Sequence, residues 1–155
     1  MERVLSDIVP DMIIHLGDCE DDTRDVSYMY HDIPLHSVYG NCDSHRTSPR
    51  EKVVSAGDMH IYCTHGHQFN VKHDILKYAP DSDIVTVAKE MGAEIALFGH
   101  THIPHLSFER GVHVLNPGSA STDKKQTNNR APTFALIDIQ KPNIICKILA
   151  INFNF

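Results

Sequence analysis

A mixed α/β domain with a strand-rich C-terminal half is predicted for this 155-residue chain, and three observations predict it. Short apolar runs recur, each closed by a glycine beside a polar or ionisable residue, as buried strands ending in tight turns require. Residues 82–92 carry apolar positions at helical rather than strand spacing. Residues 133–139 and 144–151 alternate with a period of two, the signature of strands with one face buried.

Taken in order, residues 2–8 read as the end of an amphipathic helix stopped near Pro10. Residues 11–16 form a short apolar strand closed by Gly17-Asp18, and the acidic stretch 19–32 a loop running into a short helix. Residues 35–39 are a second strand, closed by Gly40-Asn41-Cys42-Asp43, and residues 44–51 a polar loop. Residues 52–56 and 59–63 flank Gly57-Asp58 as a hairpin whose second strand runs into Thr64-His65-Gly66-His67. In the helix over 82–92, Ser82 suits the N-cap and Gly92 the C-cap. Residues 95–98 are apolar without interruption, which suits a strand buried on both faces, and Gly99-His100-Thr101-His102 follows at its carboxyl end. Residues 106–110 and 112–115 form a hairpin about Gly111. Asn116-Pro117-Gly118-Ser119 is a turn, and 120–131 a polar loop.

Composition narrows the function. The chain is of single-domain size, 22% charged and 41% apolar, so one domain spanning 1–155 is expected. A net charge of −6 without a basic stripe argues against general nucleic-acid binding. No apolar run approaches the roughly 20 residues that span a bilayer, and the first residues lack a basic-then-apolar signal pattern. Cys19, Cys42, Cys63 and Cys146 form no Cys-x-x-Cys pair, so four free thiols in a reducing cytoplasm are expected. Twelve histidines are the one excess.

Four strand ends hold a glycine beside potential metal ligands: Asp18, Asn41, His65, and the pair His100 and His102. Asp18, Asn41, His65 and His100 stand 23, 24 and 35 residues apart, enough for each strand to return to one face of a sheet. A carboxylate, a carboxamide oxygen and three imidazoles suit manganese, iron, zinc, nickel or cobalt, and suit calcium poorly. Each segment also has a plainer reading: Asp18 as a helix cap or turn residue, Asn41 as a left-handed turn residue, His65 as a satisfied, partly buried histidine.

These same segments, with Asn116-Pro117-Gly118-Ser119, resemble the ordered motifs of the calcineurin-like metallophosphoesterase superfamily, and most of all its small single-domain bacterial and archaeal phosphodiesterases. The resemblance runs from about residue 2 to the C-terminus. It implies a four-layer αββα sandwich of two mixed sheets holding up to two divalent metals, manganese foremost, on loops at the strand ends. It implies that Asp18 bridges the metals, that Asn41, His65 and His100 complete one site, and that His102 belongs to the other. It further implies hydrolysis of a small phosphate-ester substrate by a hydroxide shared between two cations about 3.5–4 Å apart. Catalytic roles then fall to Asp18, Asn41, His65 and Cys42. Many relatives carry a histidine where this chain has Cys42; a thiol is a poor proton donor there, so leaving groups that depart unaided should be favoured. Asp43 is expected to orient Asn41 or a neighbouring loop. His67 is open between support, substrate contact and turn.

The family pattern begins with a strand ending Asp-x-His, and this chain has none. Ser6-Asp7-Ile8-Val9 mimics its outline, but Asp7 lies only 11 residues before Asp18, too few for a strand crossover of a dozen or more residues. Residues 2–5 align better with the helix after that strand. The first strand is therefore expected to be missing, the chain to start late, and the second metal site to be half built. That departure keeps an alternative alive, a weakly active or inactive scaffold similar to the retromer small subunit, which shares the fold; such a protein would expose an apolar docking patch. Self-association, the natural substrate and the native metal are left open by the sequence.

Overall fold

The computed structural model describes residues 8–69, 83–123 and 130–151. The helix expected over 2–8 and the Ser82 cap fall outside them, Ile8 excepted. The strands are β1 (Ile13–His15), β2 (Leu35–Ser37), β3 (Glu51–Ala56), β4 (Met59–Thr64), β5 (Ile95–Leu97), β6 (His105–Glu109), β7 (Val112–Asn116), β8 (Thr133–Gln140) and β9 (Asn143–Ala150). The helices are α1 (Asp22–Met29) and α2 (Asp83–Glu90), with a 3-10 turn at His67–Phe69.

The centre is a five-stranded mixed sheet in the order β3-β4-β5-β7-β6. Residues 95–97 are buried because β5 runs parallel to β4 on one side and to β7 on the other, which is why its sequence is apolar without alternation. The outer pairs β3–β4 and β6–β7 are antiparallel hairpins. Gly57 (φ 60) opens the first turn, and Arg110 (φ 51) with Gly111 (φ 88) make the second, as the mirror-image turns of tight hairpins demand. Both expected hairpins are present, each one residue longer at an end than the alternation indicates.

One face of this sheet is covered by α2, whose Ile84, Val85 and Ala88 pack with Tyr62, Ala96, Phe98, Val112 and Val114. The helix stops as its Gly92 predicts: at φ 68 this residue donates its N–H to Lys89 O, while Ala93 N–H reaches back to Ala88 O at 2.8 Å. Against the other face, formed by Val54, Ile61, Cys63, Ile95, Leu97 and Leu115, lie Met12, Ile14 and Leu16 around β1 and Ala135, Ile137, Ile139, Ile144 and Cys146 from β8–β9. The α1 helix links β1 to β2 as a parallel crossover, packs on β2, and buries Val26.

The layers therefore follow the expected αββα order. The second strand layer differs in one respect: among the described residues it consists of two separate pairs, parallel β1–β2 and antiparallel β8–β9, rather than one mixed sheet. The physical reason is that no described strand hydrogen-bonds β1 on the side away from β2 and joins it to the β8–β9 pair. Among the described residues no helix is long and apolar enough to cross a membrane.

Candidate metal centre

The carboxyl ends of β1, β2, β4 and β5 converge, and the turns that follow them carry the residues singled out by sequence. Asp18 is reached through Gly17 (φ 91) and is itself left-handed at φ 60; Cys19 follows at φ 59. His100 (φ 63) and His102 (φ 56) share that conformation, so among the described residues four of the five non-glycine residues with positive φ sit here. Such backbone costs of order 1–3 kcal/mol per residue and persists where the surroundings impose it, which is typical of functional loops. Asn41, by contrast, is not left-handed.

Buried carboxylates do the imposing. Asp43 accepts three backbone N–H groups, from Asp18 at 2.9 Å, Glu20 at 2.8 Å and Gly40 at 2.7 Å, and so ties the β1 and β2 turns together. It orients the Asp18 loop, and Asn41 through the Gly40 backbone. Asp18 Oδ1 in turn accepts the Cys42 N–H at 2.9 Å. The approach is so close that a Cβ on Gly40 would land on Asp18 Oδ1, and one on Gly17 would lie 2.6 Å from Gly40 N and 2.7 Å from His65 Nδ1. Both glycines are therefore there for contact as much as for turning.

His65, buried at the end of β4, has its ring fixed by Leu16 O, 2.6 Å from Nδ1. A carbonyl only accepts, so Nδ1 donates to it, and Nε2 is the ring nitrogen that faces the site. Facing it are Asn41 Oδ1 at 3.1 Å and Asp18 Oδ2 at 3.5 Å. The Asn41 amide nitrogen is turned away to Cys42 Sγ, 3.3 Å off. An imidazole nitrogen, a carboxamide oxygen and a carboxylate oxygen thus converge on one point, an arrangement that a shared cation would satisfy. Donors held at bonds of about 2.0–2.2 Å to one ion would be separated by about 3.0–3.5 Å, so the spacing fits a divalent transition metal. Among the described residues no three His, Cys, Asp or Glu side chains form such a group; the third donor is the Asn41 carboxamide.

His100 sets its ring 5.3 Å from that of His65, edge to face, beside this trio. His102 shares the turn, but among the described residues it makes no hydrogen bond or ring contact with the group. The turn itself is braced by fully buried Asn116, whose amide donates to Gly99 O at 2.7 Å and Thr101 Oγ1 at 3.1 Å while its Oδ1 accepts Gly118 N–H at 2.9 Å. Cys42 and Cys19 are exposed and flank the ligands. Burial and the charge of Asp18 push the Cys42 thiol up; burial and the charge of Asp22 do the same to Cys19, so both stay protonated near neutral pH.

Two braces escaped the sequence reading. Glu20 appeared there as one acid in an acidic stretch, yet it is buried and accepts Thr47 N–H (3.2 Å), Thr47 O–H (2.8 Å) and Ser48 N–H (2.6 Å), anchoring the 44–50 loop. Burial alone would raise its carboxyl; the hydrogen bonds from Ser48 and Thr47 outweigh that and hold it below the ordinary range. Asn116 was read as part of a turn, and its side chain proves to hold the histidine loop of another strand. The partial signal for it was the Asn-Pro-Gly-Ser segment itself.

The family model of the calcineurin-like phosphoesterase superfamily domain matches residues 1–142. The chain is 32% identical over 130 residues to the probable metallophosphoesterase YsnB of Bacillus subtilis, covering 84% of this chain and 69% of that protein. It is 31% identical over 115 residues to a probable metallophosphoesterase of Methanocaldococcus jannaschii, covering 74% of this chain and 55% of the relative. Among solved structures it is similar to a predicted phosphoesterase of Streptococcus pneumoniae, at TM-score 0.73 and 28% identity over 96% of this chain and 80% of the other. Vps29 of Entamoeba histolytica shares the fold, at TM-score 0.72 and 21% identity over 98% and 90% of the two chains. The matched family model, the motif-bearing turns and the αββα layers agree: this chain belongs to the calcineurin-like phosphoesterase superfamily.

Proposed function

We propose that the chain is a divalent-metal-dependent phosphodiesterase, and the observation that carries this is the convergence of His65 Nε2, Asn41 Oδ1 and Asp18 Oδ2. Asp18, Asn41, His65 and His100 would hold the metal, manganese foremost, and His102 would serve a second. When bound, such an ion supplies Lewis-acid polarisation of a phosphoryl oxygen and acidifies a water. The protein's part is to keep the donors aimed. Leu16 O fixes the His65 tautomer, Asp43 fixes the backbone of both oxygen-bearing turns, and Asn116 fixes the turn bearing His100. Asn41 adds an oxygen without charge, which leaves the site electrophilic.

Cys42 occupies the position from which a leaving group would take its proton, and its raised thiol donates poorly. Cys42→His should therefore raise hydrolysis of alkyl diesters by about tenfold or more, and that of p-nitrophenyl diesters by much less. Rates measured on both substrate types check this; equal gains would contradict it. The reading as a whole is tested by hydrolysis of bis-p-nitrophenyl phosphate with manganese or nickel and its loss with chelator. No turnover with any divalent ion would overturn it.

A scaffold reading has one observation in its favour: Leu106 and Phe108 stand 46% and 65% exposed on β6, an edge strand of the central sheet. It predicts a chain that binds a partner protein with the metal trio removed.

A further inference from the structure

The rim of the metal centre on the β2 side carries a row of groups that the donor trio does not use. His67, in the 3-10 turn after His65, sets its ring 5.4 Å from His65, 6.2 Å from His100 and 6.3 Å from Tyr39. Its Nδ1 is buried and, among the described residues, has no hydrogen-bond partner. Tyr39 precedes the Gly40-Asn41 turn, and the Arg46 guanidinium lies over its ring, 4.9 Å from the centroid. The loop is pinned between Arg46 and Arg50: Glu20 holds Thr47 and Ser48, and the Tyr39 N–H donates to Pro49 O at 3.0 Å. Among the described residues neither Arg46 nor Arg50 is paired with a carboxylate, in a chain whose net charge is −6. The register pairs Glu51 with Thr64, which sets the backbone of Arg50 beside the start of the His65–His67 turn.

An Arg46 guanidinium held over Tyr39, with Arg50 a few residues on in the same anchored loop, offers a seat for a second anion beside a site for a phosphate ester. We propose that the substrate is a phosphodiester carrying a further phosphate or carboxylate, which Arg46 and Arg50 bind on the Tyr39–His67 side of the donor trio. The inference rests on the phosphodiesterase reading and deepens it. Arginine suits the task because its planar fork engages an oxyacid through two parallel hydrogen bonds. Tyr39 holds Arg46 in place before substrate arrives, and so reduces the ordering cost of binding.

The test uses three diesters with one leaving group: the propyl, 3-carboxypropyl and 3-phosphopropyl esters of p-nitrophenyl phosphate. With manganese and at low salt, the 3-phosphopropyl ester should show a kcat/KM at least about tenfold above the propyl ester, as one charge-assisted forked contact implies, mostly through KM. The 3-carboxypropyl ester separates the two anions: an equal gain assigns the seat to oxyacids generally, a smaller one to phosphate. In the Arg46→Gln/Arg50→Gln variant the ratio should fall to about one, and in Lys141→Gln/Lys147→Gln, which removes two charges at the β8–β9 hairpin, it should persist. No preference in the unaltered chain, or a preference that survives the loss of both arginines, would overturn the proposal. If no diester is turned over, the phosphodiesterase reading itself fails. The seat is then read by titration calorimetry with inorganic pyrophosphate: at least fivefold tighter binding by the unaltered chain than by the arginine variant, by roughly the strength of one such contact, supports it, and equal binding overturns it.

Discussion

Replacing Asp18 with asparagine should lower manganese-dependent diester hydrolysis by at least about a hundredfold, because it removes the carboxylate from the three converging groups. The substitution is nearly isosteric, and the new carboxamide oxygen still accepts the Cys42 N–H that Asp18 Oδ1 accepts now at 2.9 Å. The new amide group faces His65 Nε2, where Asp18 Oδ2 now lies 3.5 Å away, and can pair with it. The metal-free variant should accordingly melt no lower than the metal-free parent, whereas added manganese should raise the melting temperature of the parent alone. Thermal melts with chelator and with manganese, run beside the rate assay, check both halves. A variant that unfolds early would mean that Asp18 acts chiefly in folding.

Gly40→Ala should be among the most damaging single substitutions in the protein. The added Cβ would fall on Asp18 Oδ1 and within 2.5 Å of Asp18 N, contacts that real structures do not contain. Relief requires the two turns to part, and parting breaks the bonds from Asp18 N and Gly40 N to Asp43. A loss of about 3 kcal/mol or more is expected, which for a domain of this size corresponds to a melting-temperature drop of roughly 6–12 °C. Gly57→Ala supplies the contrast. Gly57 has φ 60 but nothing within 4 Å of its would-be Cβ, so only backbone strain of about 1–2 kcal/mol should appear. Equal losses at the two positions would show that packing between the β1 and β2 turns matters less than their conformation.

Much of this was legible in the sequence because it is local. The apolar run before Gly99 is a β5 buried between parallel neighbours, and Gly92 ends α2 with both hydrogen bonds of a left-handed cap. The alternation after Thr133 is a two-stranded pair, and the glycines after the strands mark where the ligand-bearing turns lie. Nothing in the chain's local pattern gave the long-range partners. Glu20 reads as one more acid until the 44–50 loop is laid on it, and Asn116 as a turn residue until the Gly99 turn is beside it. The order β4-β5-β7 places strands together that are far apart in sequence, and the ring of Tyr39 beneath Arg46 follows from that kind of proximity. The separate β1–β2 and β8–β9 pairs likewise depend on which strand edges meet, which no short-range pattern encodes.

The most direct test of the central claim is metal content per chain after dialysis, compared between the unaltered protein and His65→Ala/His100→Ala. Asp18, Asn41, His65 and His100 acting as one site predict one firmly held manganese or nickel ion in the former and none in the latter, with circular dichroism showing both folded. An ion retained in full by the double variant would contradict it.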